Sequence, residues 1–142
     1  MSVQINGHLQ QNIFSHLEGT YPNEGGGFLF GHRKDDVLEV VNVEHIANVF
    51  ESEEQYHRYA MTPQNWAQME DQADEKGLVL IGYHHSHPDS PAIPSEYDRE
   101  HALPNFLYII TSVQQNKAVD MRAWQLRADR SQFDAIPLIV TA

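Results

Sequence analysis

Apolar positions recur along the chain with two periods. Leu9, Ile13, Phe14 and Leu17 stand at helical spacing behind Asn6, a residue suited to the N-cap, so residues 7 to about 19 are predicted to form an amphipathic helix. "TYPNEGGG" breaks that pattern. "GFLFGH" and "VLEVVNVEHI" are apolar or alternating runs separated by the charged turn "RKDD", as in a pair of strands. Thr62 as N-cap, Pro63 at the first helical position, and Trp66, Met69 and Ala73 on one face mark a second helix that stops at Gly77. The strand "LVLIGYHHSH" follows it. After a Pro-rich loop come a short helix in "SEYDREHAL" and three further strands, "NFLYIITSV", "AVDMRAWQLRA" and "FDAIPLIV". No repeat, low-complexity tract or linker interrupts the series, so residues 1–142 are expected to form one α/β domain around a central sheet.

Composition narrows the function. Hydrophobic residues are 41% and charged residues 20% of the chain, the range of a globular protein, and a chain of this length buries roughly two-thirds of its unfolded surface. Its apolar runs are far shorter than the ~20 residues of a membrane-crossing helix. The opening "MSVQING" lacks a basic and then apolar leader, so a cytoplasmic location is expected. The net charge of −11 repels a phosphate backbone and argues against nucleic acid as the main ligand. With no cysteine, any metal site must use histidines and carboxylates.

Those ligands are concentrated in "GYHHSHPDSPAIPSEYD". Side chains alternate across a strand, so His85 and His87 point to one side and His84 to the other. Two imidazoles suit zinc, and a catalytic zinc site takes three protein ligands and keeps a fourth position open. Asp98, at the start of the predicted short helix, can fold back as the third. A His-x-His pair by itself is commonly polar strand surface; its place at the end of an apolar strand, where α/β active sites gather, favours a metal site. Hydrolysis of an amide then needs a carboxylate to carry the proton to the leaving amine. Glu24, beside the small glycines of "YPNEGGGFLFG", can be that base and equally an ordinary turn carboxylate. Ser95 also has two readings. With Asp98 three residues on it forms a capping box, and its hydroxyl can donate to a developing oxyanion. "ESEEQYHRYAM" reads as a solvated loop, the alternative being that Arg58 or Tyr59 contacts a substrate tail.

Together these residues resemble the JAMM (MPN-plus, Mov34/PAD-1) zinc metalloprotease family: an upstream Glu24, then His85-Ser86-His87-Pro88, Ser95 seventh after the proline, and Asp98 eleventh after His87. The order of the first helix, "YPNE", "GFLFG" and "GYHHSHP" is similar to that of small prokaryotic members and covers most of the chain. The resemblance implies a curved central β-sheet flanked by helices, similar to the cytidine deaminases. It implies one Zn²⁺ per chain on His85, His87 and Asp98, with Glu24 as general acid/base and Ser95 stabilising the tetrahedral intermediate. It implies cleavage after the C-terminal diglycine of a ubiquitin-like protein. With little room for the insertions that larger relatives use to grip ubiquitin, the resemblance implies a prokaryotic β-grasp sulfur carrier as substrate, bound through its C-terminal tail. Two other readings are a catalytically silent scaffold of the same fold, which would lack ligands that are present here, and a RadC-type relative acting around DNA, which the acidity opposes.

Overall fold

The computed structural model describes residues 1–60 and 62–142, with backbone only at Glu53 and His57. In chain order the elements are β1 (Ser2–Asn6), α1 (Gly7–Thr20), β2 (Gly26–Lys34), β3 (Val37–His45), α2 (Glu53–Ala60), α3 (Pro63–Glu75), β4 (Val79–Pro88), α4 (Glu96–His101), β5 (Leu107–Gln114), β6 (Lys117–Leu126), β7 (Phe133–Ile136) and β8 (Leu138–Thr141). Both helix starts read from the caps are present: Asn6 Oδ1 accepts from the Leu9 amide at 2.8 Å, and Thr62 Oγ1 accepts from the Asn65 amide at 3.1 Å. Ile13 and Leu17 of α1, and Trp66, Met69 and Ala73 of α3, are buried as their spacing requires. Among the described residues no helix is long and apolar enough to cross a membrane.

The strands form one sheet in the order β7-β6-β5-β4-β2-β3-β1-β8. β4 runs antiparallel to β2 and parallel to β5, so it is central, and it is buried from Leu80 to His87. α1 covers one face over Val3, Ile5, Leu29, Ile81 and Ile109. α2 and α3 pack on the other over Phe28, Phe30, Tyr83 and Tyr108.

Two expectations are corrected and one further strand is added. "FDAIPLIV" is not one strand: Pro137, which has no N–H to donate to a ladder, separates β7 from β8. The two halves lie on opposite edges, β7 against β6 and β8 parallel to β1, so the sheet curls until its edges meet at one residue. "SVQIN" forms β1, with Val3 and Ile5 buried, a five-residue alternation too short to stand out in sequence. "ESEEQYHRYAM" is largely the helix α2 rather than a loop, held by burial of Tyr56 and Ala60, one turn apart. Met61 lies outside the described residues.

Candidate metal centre

β4 turns the alternation of "HHSH" into a division of labour. His85 and His87 lie on the α2 side, 2% and 6% exposed, while the fully buried His84 faces α1. Asp98 arrives from α4, and ligand atoms of His85, His87 and Asp98 all lie within 4.8 Å of one another. His85 Nε2 is 3.4 Å from Asp98 Oδ1, and His87 Nε2 is 3.4 Å from Asp98 Oδ2. That is long for a charge-assisted hydrogen bond, which closes to about 2.8 Å. It matches two ligands sharing a tetrahedral zinc: at about 2.0–2.1 Å from the ion they stand about 3.4 Å apart. The tautomer fits as well. His87 Nδ1 donates to the Pro91 carbonyl at 2.9 Å, so Nε2 offers its lone pair on the Asp98 side.

The capping role of Asp98 is compatible with a place in a metal site. Its Oδ2 accepts from the Ser95 amide at 2.9 Å, and Ser95 Oγ accepts from the Asp98 amide at 3.1 Å, a complete capping box. The box fixes the carboxylate rotamer that presents its oxygens to the histidines. Accepting the Asp98 amide does not consume the donor capacity of the Ser95 hydroxyl.

Glu24 is buried, and its backbone bridges Phe50 through a pair of bonds of 2.7 and 2.9 Å. The next residue is tied to the histidine strand: Ser86 N donates to the Gly25 carbonyl, and the Gly25 amide donates to Ser86 Oγ, both at 3.0 Å. Ser86, the residue between His85 and His87, therefore holds the Glu24 segment in place. Glu24, His87 and Ser95 line one cleft of about 590 Å³ with Glu51, Pro91 and Ile93.

Two residues with structural roles at the site were not found from sequence, Ser86 and Tyr56. The Tyr56 ring lies 5.6 Å from that of His85, and its hydroxyl donates to the His84 carbonyl at 2.8 Å. This passage crosses Gly26, where a Cβ would stand 2.4 Å from both the Tyr56 ring and the His84 oxygen. Burial holds the Tyr56 phenol well above its usual range, so it remains a donor. The available signal was its spacing from Ala60, hidden in a charged stretch. Arg58 pairs with Glu54, and Tyr59 packs against Phe50 at 5.4 Å beside a separate groove with Asn65 and Met69. Neither lines the cleft of Glu24 and His87.

Behind the strand, His84 meets the edge of His45 with ring centroids 5.8 Å apart, and His45 stacks on His16 at 4.3 Å. Desolvation by burial lowers the pKa of each, that of His45 to about 4, keeping the rings neutral.

Residues 7–127 match the family described as prokaryotic homologs of the JAB domain. A desampylase of Haloferax volcanii is 31% identical over 108 residues, covering 72% of this chain and 75% of that protein. A solution structure from Salinibacter ruber is 35% identical with a TM-score of 0.75, covering 99% of this chain and 92% of that one. A Desulfitobacterium hafniense protein superposes with a TM-score of 0.80 at 24% identity, covering 98% of this chain and 92% of that one. A JAB1/MPN domain protein from Archaeoglobus fulgidus superposes with a TM-score of 0.57 at 16% identity, covering 98% of this chain and 99% of that one. The last two share the fold.

Proposed function

The chain belongs to the prokaryotic JAB-domain family, and from that premise we propose that it is a zinc-dependent isopeptidase that releases a ubiquitin-like protein by cutting after its C-terminal diglycine. The observation that carries this reading is the convergence of His85, His87 and Asp98 within 4.8 Å, beside a cleft that Glu24 and Ser95 also line. The similar protein of Haloferax volcanii supports the substrate class, since a desampylase removes a ubiquitin-like modifier. A β-grasp sulfur carrier and a cytoplasmic setting belong to the same reading.

Zinc, when bound, would supply a Lewis acid that brings water toward ionisation near neutral pH and polarises the scissile carbonyl. His85, His87 and Asp98 would hold it, leaving a position open to the cleft. Glu24 takes the proton from water and returns it to the leaving amine, which otherwise departs poorly as an anion. The Ser95 hydroxyl donates to the oxygen that gains negative charge as the carbonyl is attacked. The buried surroundings of Glu24 strengthen its contact. Pro91 and Ile93 form part of the wall of the same cleft.

The test is incubation of zinc-loaded protein with β-grasp carriers extended past their diglycine, read by intact mass. The expected product ends at the second glycine, and a chelator prevents its formation. Uncleaved carriers with zinc bound, or cleavage indifferent to the chelator, would overturn the proposal.

A further inference from the structure

We propose that Arg130 is a positioning residue for the metal ligand Asp98, acting by closing the C-terminal end of α4. The inference rests on the metal site proposed above. α4 has only six residues, too few for a helix to persist in water without external contacts. Its first end is closed by the Ser95–Asp98 capping box. The other end leaves backbone carbonyls that a helix this short cannot satisfy internally.

Arg130, from the turn between β6 and β7, supplies donors to three of them. Its Nη1 donates to the Ala102 carbonyl at 2.8 Å, and its Nη2 donates to the Glu100 and Arg99 carbonyls at 2.7 and 3.2 Å. The planar fork of a guanidinium can serve several acceptors at once, and its charge lies at the negative end of the helix dipole. Ala102 is also the residue whose amide donates to the Asp98 carbonyl at 2.8 Å. One chain of contacts thus runs from Arg130 through Ala102 to the backbone of the ligand. Arg99 returns the contact, donating from Nη1 to the Arg130 carbonyl at 3.0 Å.

The turn is built to present this side chain. Arg130 has φ of 64°, in the left-handed region that a non-glycine residue occupies only when its surroundings hold it there. Asp129 Oδ1 accepts from both the amide and hydroxyl of Ser131, at 2.9 and 2.6 Å, and Arg127 forms a forked pair with Asp134. These bonds hold the turn, while the Arg130 guanidinium is directed at α4. Trp124 Nε1 on β6 donates to the Ala92 carbonyl at 3.0 Å, tying the preceding loop to the same side of the sheet.

The experiment is a competitive zinc titration of the metal-free wild type, Arg130→Ala and Arg130→Lys against a chromogenic chelator, at a temperature where near-ultraviolet circular dichroism shows each folded. Arg130→Ala should bind zinc about tenfold or more weakly, and Arg130→Lys, with its compact charge, should recover part of that loss. At saturating zinc the substrate KM should stay at the wild-type value, since Arg130 touches no part of the cleft. Zinc affinity within twofold of wild type in folded Arg130→Ala would overturn the inference. If Arg130→Ala does not fold, wild-type affinity in folded Arg130→Lys would overturn it equally. A wild type that binds no zinc would instead overturn the proposed metal site, and this role with it.

Discussion

At His45, Nε2 pairs with the Asn12 side-chain oxygen and therefore carries the proton, while the buried Nδ1 has no hydrogen-bond partner among the described residues. A second proton would put an unsolvated charge there. The folded protein accordingly holds His45 neutral down to about pH 4, whereas the unfolded chain takes up the proton near 6.5. Between those values the unfolded state binds more protons, so stability is fully present above about pH 6.5 and declines as pH falls toward about 4. Burial lowers the His16 pKa as well, which adds in the same direction. Urea midpoints of the metal-free protein should therefore fall across this window, and less steeply for His45→Gln. An equally steep fall in the variant would assign the acid sensitivity to other groups. At this scale the sequence was informative where strand periodicity applied: alternation alone separated His84 from His85 and His87. It could not distinguish the two readings of Glu24, because the Phe50 and Ser86 contacts that hold its segment come from elsewhere in the chain.

α1 and α3 announced themselves through caps and a 3.6-residue apolar rhythm, signals that are local. α2 did not, because only Tyr56 and Ala60 of its characterised side chains are buried and charged neighbours dominate its composition. Its contribution is concentrated in Tyr56, which crosses Gly26 to reach β4. Tyr56→Phe removes one hydroxyl donor from the buried His84 carbonyl, and the expected cost is about 1–2 kcal/mol in chemical denaturation. Unchanged stability would show that α2 is held without that bond. The capping box of α4 was legible from "SEYD", but its closure by Arg130 was not, since the two segments lie some thirty residues apart.

Across the whole molecule, the Glu24 segment, the histidine strand β4 and α4 meet at one end of a curled sheet. The motif residues could be read from their spacing, and the α/β class from the alternation of elements. The curl could not: β7 and β8 read as one continuous apolar run, and only pairing of β8 with β1 sends its halves to opposite edges. Long-range pairing leaves no periodic mark in the chain. In the proposed mechanism a buried carboxylate from one segment works on a metal held by two others. The most direct measurement is Glu24→Gln, assayed together for zinc content and for cleavage of a diglycine-extended carrier by intact mass. The expected result is about one zinc per chain, as in the wild type, with hydrolysis reduced at least ~100-fold, the scale of a general acid–base contribution. A Glu24→Gln protein that keeps its zinc and cleaves at the wild-type rate would contradict it.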